Sequence, residues 1–249
     1  MTVEEKLVKI AENTPKVYEA GKAEGIAEGK QAEYDAFWDN FQNKGAARRY
    51  DYAFAGQVWT EKIFRPKYNL IPTNAQYMFA YGALSGLDLT AHLEKLGVTL
   101  DTSRSTSFDH MFYYGSPYRV PAISTVGANA LQSIFQYCSV STVDKLILRD
   151  DGSQTFKNPF TGTKFGKLIV EGVIGNNGFN IQDSTGLTHD SIVSIVTALS
   201  TTTTGLTVTF SKTAVDKAFE TVEGENDGST SAEWLALVAT RSNWTIALA

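Results

Sequence analysis

Blocks of hydrophobic and aromatic residues recur in a fixed order from residue 77 onward. Each block has a Phe at its third position and a small residue at its sixth, and the copies span residues 77–82, 110–115 and 133–138. Their anchors Phe79, Phe112 and Phe135 are 33 and 23 residues apart, and a weaker copy surrounds Phe156. Internal repetition of this kind predicts stacked structural units. We therefore expect the three anchors to form one buried column.

A short β-prone stretch accompanies each unit. These stretches lie at residues 98–100, 122–125, 143–148, 165–170, 206–210 and 244–248. The third matches the fourth at an offset of 22 residues, and helical patterns precede the strands of the longer units at residues 89–96, 191–199 and 232–239. Residues 189–191 offer caps for the second of these helices. One short strand in every 22–38 residues predicts an α/β solenoid with a short parallel sheet.

Residues 1–33 have a different pattern. The apolar positions Leu7, Ile10 and Val17 follow the three- and four-residue steps of a helix that pairs with another helix. A Thr-Pro pair at 14–15 predicts the start of a second helix, whose glycines recur every four residues. The segment is either a self-associating anchor or a solvated linker. We predict an anchor and oligomerisation segment over residues 1–33 and a solenoid with end caps over 34–249, the first cap lying within 34–64.

Composition and charge limit the function. The chain has 249 residues, 43% of them hydrophobic and 12% aromatic, which excludes a wholly disordered protein. Its net charge is −5, most of it within positions 1–40, where five Lys face nine acidic side chains, and this argues against a nucleic-acid partner. No apolar run reaches the length of a membrane span, and the start lacks the pattern of a secretory signal. We expect no membrane insertion.

Few residues suggest catalysis or metal binding. Asp109 and His110 resemble half of an acid–base pair, but a repeat position explains them better. Residues 150–153, Asp-Asp-Gly-Ser, predict a turn, because the spaced ligands and closing Glu of a calcium loop are missing. Cys138, the single cysteine, is expected to be a buried core thiol. We therefore predict no enzyme activity, no metal site and no cofactor.

Two aromatic regions are candidates for binding. Residues 44–67 interleave basic and aromatic side chains, which fits either a nucleic-acid strand or, as we favour, a solenoid cap with its aromatic side chains inward. Tyr113, Tyr114 and Tyr118, with Arg119, have the chemistry to stack on sugars or proteins. The sequence does not show which tyrosines face the core, so the ligand-binding residues stay unassigned.

Two patterns resemble known families. The units that read Phe-x-x-Cys/Gly, followed after seven residues by Leu-x-Leu, resemble the irregular leucine-rich repeats of BspA-like bacterial surface proteins. Residues 5–21, Glu-Lys-Leu-Val-Lys-Ile-Ala-Glu-Asn-Thr-Pro-Lys-Val-Tyr-Glu-Ala-Gly, resemble the N-terminus of proteins encoded in phages and prophages of Gram-positive gut bacteria.

The resemblance implies a non-enzymatic virion structural protein, a tail or head fibre on the outer surface of the particle. It implies a homotrimer that joins another virion protein through its N-terminal segment and adheres to a host surface protein or glycan. A bacterial cell-surface adhesin module with leucine-rich repeats is the alternative. A solenoid carbohydrate-active tail spike is a weaker one, because its paired carboxylates would have to lie on strands that here read Thr, Leu, Ile and Val.

Overall fold

The computed structural model of the chain describes residues 38, 46–56 and 59–249. Ten strands are present in this part of the chain: β1 (Arg48–Arg49), β2 (Pro72–Asn74), β3 (Arg119–Val120), β4 (Ile123–Ser124), β5 (Ala130–Gln132), β6 (Thr142–Ile147), β7 (Thr155–Lys157), β8 (Lys167–Glu171), β9 (Leu206–Phe210) and β10 (Trp244–Leu248). It also contains four α-helices: α1 (Leu89–Leu96), α2 (His189–Ala198), α3 (Lys212–Ala218) and α4 (Ala232–Ala239).

The strands stack as a parallel β-solenoid of about five turns. Strand β6 pairs with β3 and β4 on one side and with β8 on the other, while β5 pairs with β7 and β9 with β10. Strands β3 and β4 are separated by Pro121, which has no N–H to donate to a ladder. All of these strand pairs are parallel, so the predicted solenoid with a parallel sheet is confirmed.

The predicted phenylalanine column is also confirmed. Phe79, Phe112 and Phe135 are fully buried, and their rings stack with centroids 5.4 and 4.9 Å apart. Phe54 extends the column at the N-terminal end, 5.2 Å from Phe79. The next anchor is Phe160, 6.4 Å from Phe135. The weaker copy around Phe156 was therefore misaligned, because Phe156 lies in β7 opposite Leu131.

The 22-residue offset of the sequence match differs from the register in which β6 and β8 pair. The sequence match would place Val143 opposite Phe165 and Leu146 opposite Leu168, whereas the structure pairs Val143 with Leu168 and Leu146 with Val170. The register shifts between these two pairs, which marks an irregularity in the ladder where one strand uses an extra residue.

The three predicted helices are present in the structure. Helices α1 and α4 have the predicted bounds, whereas α2 begins at His189 with Thr188 as its N-cap, and α3 was not predicted.

Aromatic side chains fill the N-terminal end of the solenoid. Tyr50, Phe54 and Trp59 are buried, as the cap interpretation of residues 44–67 predicts for its described part. Trp38 is fully buried against Phe54 and donates from Nε1 to the carbonyl of Ile63 at 3.2 Å. The predicted anchor segment 1–33, with Leu7, Ile10 and Val17, lies outside the described residues.

Candidate binding face

A row of exposed tyrosines runs across three successive turns. Tyr81, Tyr114 and Tyr137, here called the tyrosine row, each follow a buried Phe anchor by two residues and are 50%, 50% and 44% exposed. The rings of Tyr114 and Tyr137 stack 5.0 Å apart. Tyr137 also covers Gly162, where an added Cβ would lie 2.4 Å from the ring, so Gly162 provides the space for it.

A second set of rings joins the row. Tyr77 is sandwiched between Tyr52 and His110, with ring centroids 4.6 and 4.5 Å away. Tyr113 links this stack to the row, since its ring lies 4.9 Å from His110 and 4.6 Å from Tyr114. The result is a continuous aromatic surface over several turns.

This aromatic surface is uncharged near neutral pH. Partial burial raises the pKa of Tyr52 and Tyr77 above the ordinary tyrosine value, so both phenols keep their protons. Burial also lowers the pKa of His110, a change that the charge of Asp109 opposes only in part. The face therefore offers rings and hydroxyls to a partner, not a charge pattern.

The backbone holds these rings in an unfavourable conformation. Tyr77, Tyr81, His110, Tyr114 and Tyr137 have φ between 51° and 60°, in the left-handed region that favours glycine. An L-residue in this region costs about 1–2 kcal/mol. Ser133 and Gly162 have the same left-handed backbone at the equivalent positions of neighbouring turns, so this conformation belongs to the repeating turn.

A groove of about 520 Å³ lies immediately C-terminal to the tyrosine row in each turn. Its lining residues come from five successive turns: Gly86, Ser116, Tyr118, Ser139, Val140, Ser141, Lys164, Phe165, Gly166, Thr185 and Gly186. Tyr114 and Tyr137 precede the lining residues Ser116 and Ser139 by two positions, so the row and the groove are neighbours. Lys164 is the single charged residue in this lining.

The candidate binding residues from the sequence divide into two groups. Tyr114 and Tyr118 are exposed and Tyr113 is half-buried, so all three contribute to this face. Arg119 does not remain available, because its Nε donates to Asp144 at 2.7 Å in an ion pair. Sequence reasoning missed Tyr81 and Tyr137, although their position two residues after a Phe anchor was a signal that could have identified them.

The residues considered for catalysis or metal binding have structural roles. His110 stacks on Tyr77 and meets Tyr113 edge-on. Asp151 accepts hydrogen bonds from the backbone N–H and hydroxyl of Ser153, which lower its pKa to about 2 and close the predicted turn. Cys138 is buried, as predicted, and burial raises the pKa of its thiol.

Metal binding, membrane insertion and similarity to known proteins also bear on the site. Among residues 38, 46–56 and 59–249, no group of three or more His, Cys, Asp or Glu side chains is placed to hold a metal ion. In the same part of the chain, no helix has both the length and the hydropathy to cross a membrane. No protein-family model matches the chain, and neither a curated protein nor a solved structure matches it. The functional argument therefore rests on the surface itself.

Proposed function

We propose that this chain is a non-enzymatic structural protein of a virion, a tail or head appendage that displays a leucine-rich-repeat-like solenoid for adhesion. The observation that carries the adhesive part is the tyrosine row. Three half-exposed rings recur at the same position of adjacent turns. Tyrosine is enriched in binding interfaces because it combines a large apolar ring with a polar hydroxyl.

The proposed mechanism is multivalent attachment. Three adjacent turns each present one ring of the tyrosine row, and several copies of the chain on one particle would multiply the contacts without a single strong site. The N-terminal segment supplies the particle end in this proposal, through the helical stripe of Leu7, Ile10 and Val17. The family resemblance supports the phage origin, the homotrimer and the outer-surface location.

The two alternatives differ in what they require. A bacterial surface adhesin module would use the same tyrosine row but would sit on cells instead of particles. A carbohydrate-active tail spike needs paired carboxylates on the sheet. Asp144 of β6 is a weak candidate for such a pair, since Arg119 and the Thr90 hydroxyl already bind it.

Two measurements on the full-length protein test the proposal. Gold-labelled antibody should mark particles purified from an induced culture that carries the gene, and fluorescently labelled protein should bind Gram-positive cells in flow cytometry. Label on cell walls with none on particles would favour the adhesin alternative. Absence of cell binding across a broad panel of strains would overturn the adhesive function.

The anchor has its own test. The double change Leu7→Asp and Ile10→Asp should abolish oligomerisation or particle incorporation while circular dichroism stays that of a folded solenoid, because charge on the stripe opposes its burial. Val8→Asp with Ala11→Asp is the matched control, since it adds equal charge beside the stripe. An oligomer that survives the first change and dissociates with the second would show that the stripe was wrongly assigned.

A further inference from the structure

We propose that the groove beside the tyrosine row binds a segment of an uncharged saccharide chain, with Tyr118 as the ring on which one sugar stacks. This rests on the proposed adhesive function and specifies its ligand. Three observations support it: Tyr118 is exposed, hydroxyl groups line the groove, and the lining carries a single charge.

Tyr118 differs from the rings of the tyrosine row in having a free face. Tyr114 and Tyr137 cover one another, and Tyr137 also lies against Gly162. Tyr118 is 57% exposed, and within the described part of the chain no other aromatic ring stacks on it. A ring with an open face at the edge of a groove is suited to the apolar C–H face of a pyranose.

The groove presents hydroxyl groups along its length. Ser116 lines it on one turn, Ser139 and Ser141 line it on the next turn, and Thr185 adds a fourth hydroxyl. No hydrogen bond to another described residue occupies the side-chain hydroxyls of the three serines. Hydroxyls that both donate and accept match the hydroxyls of a sugar.

The shape of the groove favours a linear chain. Its lining comes from five successive turns, and strands about 4.8 Å apart give it a length of roughly 19 Å. Glycines at 86, 166 and 186 keep the floor open, because they place no side chain in the groove. A few linked sugar rings fit this length better than one monosaccharide.

Charge decides between a saccharide and a nucleic acid. A single strand of nucleic acid needs a row of cations for its phosphates, together with rings for its bases. Lys164 is the single cation among the lining residues, and no carboxylate lines the groove. A peptide partner would favour a buried apolar anchor pocket, whereas this lining is mostly Ser, Thr and Gly.

The binding experiment uses the full-length protein and defined probes. Saturation-transfer NMR and calorimetry would screen hexasaccharides of glucose, xylose and N-acetylglucosamine in different linkages, with oligo-dT as the nucleic-acid probe. At least one hexasaccharide should bind saturably and receive magnetisation from tyrosine ring protons. If none binds, or if oligo-dT alone binds, the inference is overturned.

Substitutions at Tyr118 test the stacking. Tyr118→Ala should weaken saccharide binding by about tenfold or more, since truncating a ring that anchors a ligand removes most of its contact. Tyr118→Phe keeps the ring and should stay within about threefold of the parent protein, the effect of one hydroxyl. Leu235→Ala is the control, because Leu235 is equally exposed but lies in α4 away from the groove. Equal affinity of Tyr118→Ala and the parent would refute stacking at this ring.

Blocking the groove gives a second, independent test. A Cβ at Gly186 would meet neighbouring atoms at 3.6 and 3.8 Å, which are ordinary contact distances, so Gly186→Gln should fold and fill the groove. Thr204→Gln, at an exposed position in another turn, is the control. Gly186→Gln should abolish saccharide binding. If it binds as the parent does, the groove is not the site; if labelled parent protein still adheres to cells, the adhesive function stands without this ligand.

Discussion

Two aromatic columns run through the same three turns, two residues apart in each. Phe112 and Phe135 stack 4.9 Å apart inside the solenoid, and Tyr114 and Tyr137 stack 5.0 Å apart on its surface. The phenylalanines are fully buried, whereas the tyrosines are about half exposed. Nearly equal ring spacing therefore arises from the turn-to-turn repeat and does not by itself indicate a core.

The two columns differ in how much each contributes to the free energy of unfolding. A buried ring removes its whole apolar surface from water and fills space that the surrounding turns cannot close. A half-exposed ring removes less apolar surface from water, so it stabilises the fold less. At Tyr114 the left-handed backbone, with φ of 51°, offsets part of that stabilisation. The inner column should thus govern stability, and the outer column should be free to serve binding.

The largest expected effect comes from the inner column. Phe112→Ala should lower the free energy of unfolding by about 3–5 kcal/mol, because it leaves a cavity between two stacked neighbours. Urea denaturation followed by circular dichroism would measure it. Phe112→Leu is the control and should lose less. Equal stability of Phe112→Ala and the parent would mean that the column does not hold the turns together.

A smaller effect is expected in the outer column. Tyr114→Ala should cost at most about 1 kcal/mol, since it removes ring contacts at a half-exposed site. Tyr114→Gly should be more stable than Tyr114→Ala by about 1 kcal/mol, because glycine adopts the left-handed backbone without a steric penalty. The same urea titrations would compare the two. Greater stability of the alanine variant would contradict backbone strain at this position.

The same contrast explains which features were predictable from the sequence. The Phe column followed from the fixed order of each block, since a Phe recurs at the same position of three units. Phe156 was mistaken for the next anchor because aromatic identity was matched, whereas the pairing of Leu131 with Phe156 places Phe160 at the level of Phe135. The anchors Phe112 and Phe135 are 23 residues apart, and this spacing does not extend to Phe160, so the period alone could not identify the next anchor.

The binding face was less predictable. Tyr118 was a candidate, but the groove beside it is assembled from short polar pieces of five turns, and many of its residues are serine or glycine with no pattern of their own. Helix α3 was missed because its seven residues are too few to establish a helical period, although Ser211 caps it. Sites made by stacking turns appear only when the register is known.

A last effect, about as small as that at Tyr114, tests whether water is excluded from the core directly beneath the outer column. Cys138 directly follows the exposed Tyr137 and is buried, and burial raises its pKa above the value of about 8.5 that holds in an unfolded chain. The folded protein therefore keeps the thiol proton while the unfolded chain releases it above about pH 8.5, so the thiol's contribution is complete below that pH and is lost as the pH rises.

Between pH 7 and pH 9.5 the parent should lose about 1 kcal/mol more unfolding free energy than Cys138→Ala, which has no thiol to titrate. Urea titrations of both proteins at the two pH values would measure the difference, and thiol reagents should react with the parent only on unfolding. Parallel losses in the two proteins, together with rapid labelling of the folded parent, would mean that water reaches Cys138 and that the boundary between the two columns is not closed at this turn.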